Sequence, residues 1–240
     1  MKILTRLGLS LLIVLRISVT ASSDPNTAQD SYYKGIQYAT SGKFEKAKAA
    51  FEKAAENSQL VSAAKNCLSI IKDVVDQKIK SDTAIHFFRG TDFINKNMID
   101  DAITEFTLAI FINLKCANAY NSRGYAYGKK KQYDDAIKDY SKAIDINPDY
   151  VSAYNSRGNI YCEKEDYGLA IQDYTRAIHL RPEEANAYNN RGFVYIVKLQ
   201  DRGMGCSDLQ RACELGGCRN YELAKQKGYC QEPKEKRANE

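Results

Sequence analysis

HFFRGTDF at 86–93, YNSRGYAY at 120–127, YNSRGNIY at 154–161 and YNNRGFVY at 188–195 are four versions of one phrase. Their glycines, Gly90, Gly124, Gly158 and Gly192, follow one another at intervals of 34 residues. An aromatic stands four residues before each glycine, except that His86 takes this place in the first, and another stands three after it. Twelve residues beyond the first three glycines comes an alanine (Ala102, Ala136, Ala170). Phe106, Tyr140 or Tyr174 follows four later, and Ala109, Ala143 or Ala177 three after that. Pro148 and Pro182 close the two central units. A fixed period of this length is the mark of a stacked repeat.

Tyr133, Ala136, Ile137, Tyr140, Ala143 and Ile144 form a stripe at helical spacing. Each unit therefore reads as two helices joined by short turns such as KKKQ at 129–132 and INPD at 146–149. Glycine on the first helix and alanine on the second allow close approach. A single hairpin leaves one apolar flank uncovered, and the next hairpin buries it.

The recurring letters resemble the tetratricopeptide repeat (TPR) family, whose unit carries an aromatic, a Leu-Gly pair and a tyrosine. An alanine, an aromatic and a closing proline follow. The resemblance covers residues 28 to about 218 and implies an all-α fold, a right-handed α-α superhelix or TPR solenoid with a capping helix at its C-terminal end. One departure is systematic: arginine replaces the leucine before the glycine, at Arg89, Arg123, Arg157 and Arg191. These arginines are expected to form ion pairs between units, with Asp139 or Asp173 on the adjoining second helix.

Units are expected at 28–61, 83–116, 117–150 and 151–184, with a degenerate fifth at 185–218. In the fifth, fixed counting puts Met204 and Asp208 where alanine and the aromatic belong. Residues 62–82 form a helical linker or a decayed repeat, with a stripe of Ala64, Leu68, Ile71, Val75 and Ile79. A capping helix at 219–230 and a polar disordered tail at 231–240 complete the chain.

The N-terminus adds a compartment. Lys2 and Arg6 precede the apolar run Leu7 to Leu15, too short to span a bilayer, and Val19-Thr20-Ala21 resembles a peptidase site. Residues 1–21 are read as a signal peptide, an uncleaved anchor being the other reading. After cleavage no stable membrane span is expected. The formal charge falls from +5 to +2, since Lys2, Arg6 and Arg16 leave with no acid. So balanced a surface gives no nucleic-acid signal.

Export bears on the cysteines. Cys206, Cys213, Cys218 and Cys230 crowd the C-terminal end, and an oxidising compartment favours a clamp there. Cys213–Cys218 across Gly216-Gly217 plus Cys206–Cys230 is the preferred pairing, because one helix holds Cys206 and Cys213 too far apart to bond. Zinc is the weaker reading, with no histidine nearby and no paired CxxC. Nothing points to a metal or a cofactor, and no catalytic motif accompanies the two histidines, His86 and His179. The chain reads as no enzyme.

In the TPR family the first helix of each unit lines a concave groove, chiefly at unit positions 2, 5, 9, 12 and 13. Position 5 holds Asn121, Asn155 and Asn189, and position 9 holds Tyr125, Asn159 and Phe193. Asparagine matches a peptide backbone, having both a donor and an acceptor. The family's clamp for a C-terminal carboxylate needs lysines at positions 5 and 2, which are absent here. The function expected is an exported scaffold binding a protein or peptide segment. The alternative is an envelope-assembly protein that self-associates or contacts wall polymer. The sequence leaves the oligomeric state open.

Overall fold

A helix without a side chain at one point can lie almost against its neighbour, and the computed structural model shows that approach repeated. Residues 28–56, 61–77 and 80–230 are described. The signal segment 1–21, the tail 231–240 and Ile79 of the linker stripe lie outside the described residues. The chain divides into two compact units, up to Phe88 and from Arg89 onward, each described by itself.

Among the described residues there are twelve α-helices. They are α1 (Ala28–Thr40), α2 (Phe44–Ala54), α3 (Val61–Val75), α4 (Ser81–Asn95), α5 (Ile99–Ile112) and α6 (Ala117–Lys129). Then come α7 (Tyr133–Ile146), α8 (Val151–Glu163), α9 (Tyr167–Leu180), α10 (Ala185–Phe193), α11 (Arg202–Glu214) and α12 (Arg219–Gln226). A π-helical turn, Val194–Lys198, continues α10.

In the first unit α1 and α2 pair through Gly35, where an added Cβ would sit 2.6 Å from the Phe51 ring. Tyr32 meets Phe51 edge-on, and Phe51 stacks on Phe88, both with centroids 5.7 Å apart. Helix α3 packs on α2 and turns Ala64, Cys67, Ile70 and Ile71 inward. That corrects the expected stripe: Leu68 is only half-buried and Val75 is 54% exposed. The buried line runs through Cys67, whose thiol burial pushes up to about 12.

The second unit stacks the pairs α6–α7 and α8–α9, then α10 with α11. Helix α5 packs on α6, and α12 on α11. At Gly124 and Gly158 a Cβ would lie 3.1 Å and 2.7 Å from the rings of Tyr140 and Tyr174. Each turn from first to second helix is closed in one way. Asn97, Lys131 and Glu165 take positive φ near 60°, and the next residue's N–H reaches back five residues: Met98 to Phe93, Gln132 to Tyr127, Asp166 to Tyr161.

The fifth pair keeps this scheme with one residue more. Its left-handed turn residue is Gln200, and the closing bond runs six residues, from Asp201 N–H to Tyr195 O. A single inserted residue inside a helix is accommodated as a π-bulge, and Val194–Lys198 is where it lies. Met204 and Asp208 are therefore not the replacements expected from fixed counting. Shifted by one, Gly205 takes the alanine place and Leu209 the aromatic place, packed on Gly192 and Ile196. Leu209 is 3% exposed and Met204 51%.

The repeated arginines fasten this stack. Arg123 donates from Nε and Nη2 to Asp139 at 2.7 Å and 2.8 Å, and from Nη1 to Thr107 Oγ1 at 3.0 Å. Arg157 does the same with Asp173 and Ser141, and Arg191 with Asp208 and Thr175. The expectation of ion pairs between units is corrected. The carboxylate belongs to the second helix of the same unit, and the link to the preceding unit is the hydroxyl. Tyr120 and Tyr127 sandwich Arg123 at 5.7 Å and 5.8 Å, as Tyr154 and Tyr161 do Arg157. The bidentate bond to Asp173 raises the affinity of Arg157 for its proton, as does that of Arg191 to Asp208.

Two stability measurements test this packing. Gly158→Ala should cost about 1–3 kcal/mol in urea unfolding because the buried Tyr174 ring has little room to move. Gly168→Ala, with nothing near the new methyl, should cost nothing. Asp173→Ala, which strands a largely buried arginine, should cost about 3 kcal/mol or more. Arg157→Leu combined with Asp173→Leu should recover most of that loss.

Candidate functional site

Helices α6, α8 and α10 carry the expected groove residues, and their register follows from the glycine contacts that fix each first helix on its second. Asn121, Asn155 and Asn189 occupy equivalent places one unit apart, each half-buried. In all three, Oδ1 is buried and has no hydrogen-bond partner among the described residues. Asn189 Nδ2 reaches Gly217 O at 3.5 Å. With the oxygen occluded and the residue only half-buried, the open edge of Asn121 and of Asn155 is Nδ2. An occluded amide oxygen that meets no partner costs about 1–3 kcal/mol.

Asn159 is employed differently. Its Oδ1 accepts from Tyr174 Oη at 2.7 Å and from Asn190 Nδ2 at 3.0 Å, tying α8 to α9 and α10. Asn118 Oδ1 accepts from Tyr150 Oη in a similar tie. Tyr174 itself is pushed up by burial and then by its contact with Cys162, so it remains a neutral phenol.

Tyr125 is 44% exposed, with the Lys129 ammonium 5.4 Å from its ring centroid. Tyr125, Lys129, Tyr140, Ser156, Asn159 and Ile160 line one depression of about 230 Å³. Phe193, 51% exposed, lies in another. That one, about 120 Å³, includes Ile196, Val197, Leu209, Leu223 and Tyr229, with Lys227 beside them. Of the six expected binding residues, Tyr125 and Asn159 line the first depression and Phe193 the second, while Asn121, Asn155 and Asn189 line neither. Val197, Leu223 and Tyr229 were missed from sequence because the π-turn moves the register, and because the cap helix has no counterpart in the repeat.

Below this second depression the cap is drawn in. Ile196, Leu209, Ala224 and Cys230 form its core, with Cys206 and Tyr221 against them. Cys206 and Cys230 are at disulfide-bonding distance with Cα atoms 5.5 Å apart, and Cys213 and Cys218 also lie at bonding distance. Among the described residues no cluster of three or more His, Cys, Asp or Glu side chains is placed to hold a metal ion. No described helix is long and apolar enough to cross a membrane.

The family described as tetratricopeptide repeat matches residues 28–59, 117–150 and 140–172, and a TPR repeat family matches 158–196. Among solved structures, MamA superposes with a TM-score of 0.54 at 22% identity, over 80% of this chain and 96% of that one. YrrB, described as a TPR protein with an unusual peptide-binding site, gives 0.54 at 17% identity, over 85% and 94%. These likenesses concern the fold. Among curated protein sequences none matches the chain significantly. Period, helix pairing, glycine contacts and family matches agree: the chain is a tetratricopeptide repeat protein, all-α and a solenoid in its fold class.

Proposed function

We propose that this chain is an interaction scaffold, without enzymatic activity, that holds an extended protein or peptide segment along α6, α8 and α10. The observation that carries this reading is the trio Asn121, Asn155 and Asn189, whose oxygens are buried without partners. The Nδ2 groups of Asn121 and Asn155 match the carbonyl oxygens of an extended backbone, a donor array that ignores side-chain identity. Tyr125 and Phe193 supply contact area at the two depressions, where apolar side chains of the segment would rest. The structural likeness to YrrB, itself a peptide-binding TPR protein by its description, is in keeping with this use of the fold.

The compartment in this proposal is outside the cytoplasm. Residues 1–21 act as a signal peptide, and oxidation joins Cys206 to Cys230 and Cys213 to Cys218. The two pairs at bonding distance support that reading. Both pairs hold α12 and the residues after it onto the last helix pair, so they set the shape of the depression at Phe193.

Peptides selected from a random display library on the wild-type chain provide the test, with Asn121→Ala/Asn155→Ala/Asn189→Ala as comparison. The triple variant should bind those peptides about tenfold more weakly or worse, as expected for the loss of about two hydrogen bonds, those of Asn121 and Asn155. The Asn121→Ala/Asn155→Ala double variant should also melt no lower than wild type, because alanine there removes an unsatisfied oxygen. Unchanged affinity across the selected peptides would overturn the proposal.

A further inference from the structure

The second helices of successive units face the same packing demands, so a departure confined to one of them at outward positions calls for a cause other than stacking. Helix α5 departs in this way. It buries Ala102, Phe106, Ala109 and Ile110 like its counterparts. On the opposite side Leu108 is 40% and Phe111 81% exposed, with Leu114 just beyond the helix at 67%. In the next two units the same places hold Lys142, Asp145 and Pro148, then Arg176, His179 and Pro182, all exposed. A soluble chain rarely keeps a phenylalanine this bare inside a cluster of leucines unless something covers it.

The charges around the patch identify the cover. Asp101 stands exposed at the start of α5, and Lys115 stands exposed just past its end. Neither has an ion-pair partner among the described residues, whereas neighbouring Asp100 is taken by Lys130. Leu108 is midway between them in sequence. If two copies of α5 are laid antiparallel with a two-fold axis at Leu108, Asp101 of each meets Lys115 of the other. Such self-complementarity is the requirement of an isologous contact, in which residue i meets j and j meets i.

We infer that α5 is a homodimerisation surface, two copies of this chain pairing antiparallel through Leu108 and Phe111 with Asp101 and Lys115 matched across the axis. The contact is one helix wide, so the dimer is concentration-dependent rather than permanent. It is separate from the asparagine-lined face and does not rest on the peptide-binding proposal.

Sedimentation velocity of the full chain over a concentration series tests it. Wild type should shift from monomer to dimer, and the Asn121/Asn155/Asn189 alanine variant should do the same. Phe111→Asp should stay monomeric with an unchanged melting temperature, the side chain being solvent-exposed. Asp101→Lys and Lys115→Asp should each weaken dimerisation about tenfold, since a symmetric interface carries the pair twice. The double reversal should restore it. A wild type that remains monomeric throughout, a dimer indifferent to Phe111→Asp, or a double reversal that fails to recover would each overturn the inference.

Discussion

The contact between a glycine on one helix and an aromatic ring on the next sets the geometry of every well-formed repeat in this chain. Gly35 on Phe51, Gly90 on Phe106, Gly124 on Tyr140 and Gly158 on Tyr174 leave no room for a methyl group without displacement of the ring. The ring in turn is fully buried, as in Phe51 and Phe106, or buried with its hydroxyl occupied, as in Tyr174. Helix spacing, and with it the direction of the asparagines on the first helix, follows from that single omission. The last pair keeps the constraint by other means. Gly192 and Gly205 approach each other, and Ile196 and Leu209 fill the space a ring would take.

The arginine before each glycine gives the array a second character. A leucine there would pack without direction, whereas the guanidinium has a fixed fork that must be met by a carboxylate and a hydroxyl. Thr107, Ser141 and Thr175 recur at the same interval as the arginines and meet one arm each. Burying such a pair adds little net stability compared with an apolar pair. Its consequence is specificity of register: a unit slipped along its neighbour would leave Nη1 without its hydroxyl. Arg89 lies exposed and has Glu105 sixteen residues on, where Arg123 and Arg157 have aspartate at that interval and Arg191 has it one residue later.

Much of this was legible from the letters, because the same physical demand was written several times. The period, the helix pairs and the fold class follow from Gly90 to Gly192 and from the alanines, where each unit confirms the others. What was hidden lies where a single residue breaks the count or a single atom chooses a direction. The π-turn at Val194–Lys198 moved Gly205 and Leu209 into places that arithmetic had given to Met204 and Asp208. Sequence identifies asparagine at position 5 but not which edge of its amide is occluded. It also names Asn159 as a groove residue, with no hint that Tyr174 and Asn190 already claim its oxygen. The ion pair inside each unit was misassigned between units because Asp139 and Asp173 are near both arginines in the count. Only the packing separates them.

These elements converge on one proposed function, that the face carrying Asn121, Asn155 and Asn189 on α6, α8 and α10 receives a partner segment. Hydrogen–deuterium exchange of the chain alone and bound to a selected peptide measures this directly. The account predicts that added protection concentrates in α6, α8 and α10, around Asn121, Asn155 and Asn189, with α7 and α9 unchanged. Protection centred instead on the outer surfaces of α7 and α9, with those first helices unaffected, would contradict it.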